Sequence, residues 1–285
     1  MLISMFSRSF FIFLLVLCTS CHNAKQSPSV KALPKVSVIC PTYNREDRLP
    51  NLYALFLHQT YENRELLVLD DSPIPSSFFT NLQDERVKYI HIPNQSSIGS
   101  KRNLLCQMAH GDIIAHFDDD DYYAPSYLTT MVENLGEADL IKLSVWLAWK
   151  ESDGSLWEWD TRKVSPLHYA ISGWTQTMHI VSLEDAFSST ETKKDWRDKN
   201  LWGFGFSFVY RKSLWEQFSF ENTSSGEDYI FVSKAQKAGK LIKHIPDSTH
   251  MTIHTLHPES TSKIFPQVHC TNSEYKELLL NYGLL

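Results

Sequence analysis

The chain has no surplus of positive charge: 27 Lys+Arg stand against 33 Asp+Glu, for a formal net charge of −6. A general nucleic-acid binder needs a basic face to neutralise phosphates, so that class is set aside. Ten glycines in 285 residues are too few for a fibrous repeat, and no internal repeat is visible. No Gly-x-x-x-x-Gly-Lys loop occurs, which excludes a P-loop enzyme, and no Gly-x-Gly-x-x-Gly marks a dinucleotide site. Cysteine is sparse. Cys18 and Cys21 lie near the N-terminus, while Cys40, Cys106 and Cys270 are far apart and lack metal-ligand spacing. Cys40 falls in an apolar strand-like run and Cys106 in a helix-like one, so both read as core residues rather than a disulfide framework.

What is present begins with a separate N-terminal object. Residues 1–33 hold no acid and only Arg8, Lys25 and Lys31 as cations. The apolar run Phe10–Leu17 is too short to cross a hydrocarbon core of about 30 Å, which takes roughly 20 helical residues. A basic residue, a short apolar run and then small residues read as an export signal over 1–21, with Cys21 as a lipid-acceptor site. An uncleaved hydrophobic anchor is the other reading. Either associates the chain with a membrane or exports it, and catalysis on the cytoplasmic face is compatible with the anchor. Residues 22–34 are polar and Pro/Ser-containing, as in a tether.

From residue 35 strands and helices alternate. Lys35–Cys40, Glu65–Asp70, Val87–Ile92 and Asp112–Phe117 read as buried strands, and 46–58, 99–109 and 125–135 as helices. This order predicts an α/β fold with a mainly parallel central sheet and helices on both faces. Ligands collect beyond the carboxyl ends of such strands. The polar clusters fall there: Pro41-Thr42-Tyr43-Asn44, Asp70-Asp71-Ser72 and Asp118-Asp119-Asp120-Asp121. Beyond residue 138 the spacing predicts two strands around Ser152-Asp153-Gly154, a polar stretch over 161–200, a helix over 228–239 and a strand over 241–245. The plan is one domain over 35–262, split into a nucleotide-binding half (35–137) and an acceptor half (138–262), with 263–285 as a C-terminal tail.

Four consecutive carboxylates repel one another. A solvated acidic loop is the plain explanation; a divalent cation shared by Asp118 and Asp120 is the sharper one. Mn²⁺ or Mg²⁺ takes carboxylates together with phosphate oxygens, which suits a nucleotide-diphosphate site. Metal-dependent phosphodiester hydrolysis also uses such acids, but no second His/Asp ligand cluster accompanies them.

The segments Val36–Arg45, Leu67–Ser72, Gly99–Asn103 and Ala115–Pro125, in that order, resemble the inverting glycosyltransferases of family 2, which have the GT-A fold. The resemblance covers roughly residues 35–262. It implies a nucleotide-sugar donor, uridine being the family's commonest base, and an acceptor hydroxyl on a glycan, lipid or protein. It places Pro41, Thr42, Tyr43, Asn44, Asp70 and Asp71 against the donor nucleotide. Gly99, Lys101, Arg102 and Asn103 approach the nucleotide and its phosphates. Asp118 lies toward ribose and metal, Asp120 on the metal, and Asp121 orients the other two. Trp202-Gly203-Phe204 corresponds to the segment lining the acceptor side. Glu227-Asp228 matches a Glu-Asp motif whose Asp is the general base; first-turn acids also arise as simple helix caps. His257 sits in a His-Pro-Glu-Ser-Thr-Ser stretch like the family's His-x-x-Asn-Thr-Ser element, whose His joins the metal or diphosphate; here Ser260 replaces the Asn, and His250 and His254 compete for the role. Trp146, Trp149, Trp157, Trp159, Trp174 and Trp202 could stack on a sugar or pack in the core. The leader keeps a non-catalytic alternative open: an exported saccharide-binding or surface lipoprotein with the same fold.

Overall fold

A computed structural model describes residues 33–162 and 198–258, together with 169–172, 179–182, 260, 264–265, 268–270, 275 and 280. The expectations for the leader, Cys21 and almost all of the tether fall outside the described residues. So do Trp174, most of 161–200 and most of the tail. No helix among the described residues is long and apolar enough to cross a membrane.

The first half follows the apolar runs. Strand β1 (Val36–Thr42) leads to helix α1 (Leu49–His58), β2 (Arg64–Asp70), a short α2 (Ser77–Asn81) and β3 (Val87–His91). Helix α3 (Ile98–Met108), β4 (Ile113–His116), β5 (Tyr122–Tyr123) and α4 (Tyr127–Leu135) follow. Helix α1 starts three residues later than its stripe predicts, with a proline in its first turn, where the missing N–H is not needed. Helix α2 is too short to show periodicity; it is marked instead by Ser76, whose hydroxyl accepts the Phe79 N–H at 3.2 Å.

Parallel strands covered on both faces should be apolar at every position, and alternate residues should enter two different cores. They do. Val36, Val38, Cys40, Leu66, Val68, Ala115 and Phe117 join one core with α1 and α4, through Leu52, Phe56, Tyr127 and Met131. Ile39, Leu67, Leu69 and Ile114 join the other with α3, through Leu105 and Cys106. Cys40 and Cys106 are thus buried free thiols, as expected.

The second half is built around the long β6 (Leu140–Lys150), which turns back into β7 (Ser155–Asp160). Strands β8 (Tyr169–Ser172) and β9 (His179–Ser182) pair with each other. A 3₁₀ turn at Gly205–Ser207 precedes β10 (Val209–Arg211), α5 (Lys212–Gln217) and α6 (Glu227–Lys237). Strands β11 (Ile242–Pro246) and β12 (Thr252–Leu256) follow, then the short β13 (Ile264–Phe265) and β14 (Val268–Cys270).

The main sheet runs β14-β7-β6-β10-β4-β1-β2-β3. The expected parallel sheet is β4-β1-β2-β3, and beyond it antiparallel strands join the pairing. Strand β10 lies antiparallel between β4 and β6, while β11 and β12 pair parallel along β6. Three residues are too few for β10 to announce itself in the sequence. It is placed by its neighbours, which use both of its edges.

Register delivers the polar clusters to one edge. Thr42 pairs with Asp70 at the carboxyl ends of β1 and β2, and β4 runs beside β1 with Ile39 opposite His116. The chain leaves β4 through Phe117, whose N–H reaches Ile39 O at 3.0 Å, so Asp118 emerges at the same rim.

Candidate active site

Two cavities of about 460 and 440 Å³ open at this rim and share Ile98, Arg102, Asp118, Asp120 and Ser224 as walls. Pro41, Thr42, Tyr43, Asn44 and Lys101 line the first; Gly203, Phe204, Glu227, Asp228 and His254 line the second.

The first cavity is braced by buried charge. Lys101 donates to Thr42 O at 2.8 Å and to Asp71 Oδ1 at 2.7 Å, and the Ser96 N–H reaches Asp71 Oδ2 at 2.6 Å. One ion pair thereby locks the ends of β1 and β2 to the first turn of α3. Asp70 accepts the Ser72 N–H at 2.9 Å, the Ser72 hydroxyl, and the Tyr89 hydroxyl at 2.7 Å. Asn44 turns the chain at φ 54°, a conformation Asn tolerates, and its N–H donates to Ser72 Oγ at 2.8 Å. Asp70 and Asp71, expected at the nucleotide, line neither cavity; both are buried braces behind it.

The four acids have four different fates. Asp119 accepts the Thr42 hydroxyl at 2.5 Å, which returns it to β1. Asp121 accepts the Thr255 N–H at 2.9 Å and meets His254 Nδ1 at 2.9 Å, which ties it to β12. Asp118 and Asp120 remain at the cavities, their side chains 30% and 17% exposed. The turn at 119–121 thus ties Asp119 and Asp121 to protein partners and leaves Asp118 and Asp120 the more exposed, with Asp119 also bordering the first cavity. Asp120 Oδ2 lies 2.7 Å from His257 Nε2 and 4.0 Å from Arg45. Of the three competing histidines, then, His257 reaches Asp120 and His254 clamps Asp121.

The electrostatics record the crowding. Burial, and then the charges of Asp121 and Asp120, push Asp118 up to about 7 against the pull of Arg102. Burial and Asp120 push Asp119 to about 8. Burial would raise Asp120 too, but the His257 hydrogen bond and the charge of His254 outweigh it, and its pKa falls. Burial opposes protonation of His254, yet Asp121 carries it up to about 9. Oxygens of Asp118, Asp120 and Asp121 all lie within 4.8 Å of one another. Hard oxygen donors at this spacing fit a divalent cation such as Mn²⁺ or Mg²⁺.

The second cavity is assembled from distant segments. Arg102, buried on α3, reaches Glu227 at 2.6 Å and Asp118 at 3.6 Å, joining the acid run to the start of α6. Glu227 is thereby committed to an ion pair. Burial and the charge of Asp228 raise its pKa, and Arg102 opposes them. Asp228 is held differently. Its Oδ1 accepts the Tyr229 N–H of its own helix at 2.7 Å, and its Oδ2 accepts the Gly205 N–H at 2.9 Å. The capping reading of Asp228 therefore covers one oxygen, and the other faces a different segment.

Gly205 must be glycine for this approach: a Cβ there would lie 3.0 Å from Asp228 Cβ and 3.2 Å from Arg102 Nη1. Phe204 beside it has φ 61°. Gly205 O accepts from His116 Nδ1 at 2.8 Å, while His116 Nε2 lies 3.1 Å from the Tyr210 hydroxyl. A carbonyl can only accept, so Nδ1 carries the proton. Burial, and secondarily Arg102, hold His116 well below the usual histidine range and keep the ring neutral. The Tyr123 hydroxyl donates to Phe206 O at 3.0 Å and accepts the Asp118 N–H at 3.0 Å, so one side chain spans both regions.

Three residues expected at a ligand line neither cavity. Asn103 points elsewhere, donating to Phe220 O at 2.9 Å and accepting from Trp215 Nε1 and the Phe220 N–H at 2.9 Å. Gly99 meets the 221–223 loop, where a Cβ would lie 1.9 Å from Glu221 O. Trp202 packs on His244 at 4.2 Å and lines neither cavity. The family resemblance places whole segments at the ligand, but on a helix or tight turn neighbouring residues face different ways. Trp146 and Trp159 are fully buried and stacked at 5.6 Å, which makes them core. Sequence reasoning missed His116, Tyr123 and Lys142. Lys142 did leave a signal, as a lone lysine inside the apolar run Leu140–Leu147.

The profile of the family described as Glycosyl transferase family 2 matches residues 37–217. A GalNAc(5)-diNAcBac-PP-undecaprenol beta-1,3-glucosyltransferase of Campylobacter jejuni is 36% identical over 111 residues, which are 37% of this chain and 36% of that protein. The chain spans only about two fifths of other curated relatives, 38% and 42% in two cases. Among solved structures, S. aureus TarS 1–349 in complex with UDP-GlcNAc superposes with a TM-score of 0.56 at 18% identity, covering 88% of this chain and 66% of that one. The mannosyltransferase PcManGT from Pyrobaculum calidifontis, in complex with GDP-Man and Mn2+, gives 0.53 at 15% identity, covering 81% and 59%. These two likenesses establish the fold, a GT-A arrangement with a mixed central sheet.

Proposed function

The chain belongs to glycosyl transferase family 2, and from that premise we propose that it is a metal-dependent, inverting glycosyltransferase. It moves a sugar from a nucleotide-diphosphate donor, a uridine nucleotide first among candidates, to an acceptor hydroxyl. The observation that carries this reading is the meeting of two cavities at Asp118 and Asp120, with Asp228 on the wall of the second.

The donor nucleotide occupies the cavity lined by Pro41–Asn44 and Lys101, and its diphosphate lies against Asp118 and Asp120. Those two carboxylates, with His257 beside Asp120, would hold Mn²⁺ or Mg²⁺. A divalent ion there supplies the positive charge that a departing diphosphate requires. Arg102 keeps Asp118 in register with α6 through Glu227. Asp228 accepts the proton of the acceptor hydroxyl as its oxygen attacks the anomeric carbon from the face opposite the leaving group. Its two backbone hydrogen bonds hold the carboxylate in a fixed orientation.

Support for the donor class comes from the UDP-GlcNAc and GDP-Man complexes of proteins with this fold. The Campylobacter relative, named for an undecaprenol-linked glycan, supports a lipid-linked glycan as acceptor. A membrane-associated leader suits such an acceptor, and fractionation with an N-terminal mass would test it. The central experiment is a donor-hydrolysis screen of several nucleotide sugars with Mn²⁺, reading nucleotide diphosphate release. Release that needs the cation supports the proposal. No product and no binding with any donor would favour the exported, non-catalytic reading instead.

A further inference from the structure

Asp228 is held by a backbone segment that carries two glycines. Gly203 and Gly205 flank Phe204, and both glycines are required by close packing: a Cβ on Gly203 would lie 2.6 Å from Lys199 O, and one on Gly205 would press on Asp228. Glycine permits that approach but leaves the backbone with more freedom than any other residue. Something outside the segment must restrain it.

Lys142 is placed to do so. It lies on β6, fully buried, and its Nζ donates to Leu201 O at 2.8 Å and to Gly203 O at 2.5 Å. The ammonium also sits 5.9 Å from the Phe204 ring and 6.0 Å from that of Trp146. Removing a lysine head from water is costly, and burial pushes its pKa down to about 7 although Asp228 pulls the other way. An apolar residue would suit the interior of β6 better. The lysine is explained by the two carbonyls it serves: that of Gly203, and that of Leu201, which His244 also approaches.

We propose that Lys142 is a positioning residue for glycosyl transfer: by holding the carbonyls of Leu201 and Gly203 it fixes the 203–205 backbone, so that the Gly205 N–H meets Asp228 Oδ2 and keeps that carboxylate aimed into the second cavity. The inference rests on reading Asp228 as the base. His116 and Tyr123 hold the following carbonyls, of Gly205 and Phe206, so Lys142 secures the end of the segment that they leave open.

The test compares the full-length wild type with Lys142→Met, which keeps the apolar stem and removes the donors. Lys142→Gln, which retains a shorter donor, serves as the conservative variant. In Lys142→Met the Gly205 amide should exchange with solvent roughly tenfold faster, with the Tyr229 amide unchanged. UDP affinity in the presence of Mn²⁺ should stay within about twofold, while kcat for donor hydrolysis falls about 10²-fold, the scale expected of a misaimed catalytic group. Lys142→Gln should recover part of both the protection and the kcat. Unchanged Gly205 exchange overturns the proposal, as does a loss of UDP affinity as large as the loss of kcat. Asp228→Asn in the same assay separates the two readings. If that variant hydrolyses donor at the wild-type rate, the base assignment falls, while Gly205 exchange still decides what Lys142 does.

Discussion

The two cavities are built on opposite plans. The first is a set of strand ends brought level by parallel pairing and locked by side-chain charge, with Lys101 and Asp71 as its bolt. The second is a run of backbone, Gly203 to Phe206, whose carbonyls are held by Lys142, His116 and Tyr123 from three different strands. A side-chain lock needs particular residues next to particular strands, so it leaves a motif. A backbone cradle needs only glycines and distant donors, so it leaves almost none. On the proposed function the difference also separates binding from chemistry: the charged lock shapes the site for the donor, and the cradle aims the group that takes the proton.

That contrast can be broken by mutation, the largest effect being expected at the cradle. Asp228→Asn should lower donor turnover by about 10²–10⁴-fold, the usual worth of a general base. Calorimetry of UDP binding with Mn²⁺ should show little change in the same variant; parallel losses of binding and turnover would dissolve the distinction. Lys101→Met should act on stability, because it strands the buried Asp71 carboxylate. Breaking such a pair costs about 3–5 kcal/mol, readable as a shift of the urea midpoint. A midpoint equal to wild type would mean the lock carries no load.

Asp120→Ala should weaken Mn²⁺-dependent UDP binding about 10–100-fold while Asp228-dependent features such as Gly205 protection persist. The smallest effect concerns pH. Asp118 and Asp119 have pKa values raised to about 7 and about 8 in the fold, above their values in the unfolded chain. Their contribution therefore favours the fold below about pH 4 and is lost as pH rises through those values. A cation bound by Asp118 must displace that residue's proton. Mn²⁺ should consequently raise the melting temperature more at pH 8.5 than at pH 6. An equal shift at both pH values would place the ion away from these acids.

The charge balance takes on a sharper meaning in this light. Residues 1–33 carry three cations and no acids, so the remainder of the chain moves from −6 to −9, with four acids packed into 118–121. Two of those four are tied to Thr42 and His254, and of these Asp119 still borders the first cavity beside Asp118 and Asp120. The excess at the site is smaller than the sequence implies, but it lies where a diphosphate must come.

Much of this was legible in the chain itself. The apolar runs at 38–40, 66–69 and 113–115 marked the parallel strands, because a strand covered on both faces must be largely apolar. The clusters after them marked the site, because such sheets bind ligands at their carboxyl ends. Tertiary structure alone decided which members of each cluster face a ligand. Asp118 and Asp120 look outward while Asp119 and Asp121 are braces; Asp70, Asp71, Asn103 and Trp202 turn away. Adjacent residues point in different directions, and only the packed neighbours show which direction is the cavity. The sequence likewise supplied Glu227-Asp228 as a pair, but Arg102 decides between them, claiming Glu227 from another helix and leaving Asp228 to the Gly205 N–H. Contacts between residues this far apart in the chain leave no spacing to read, and they arise only once the sheet has closed.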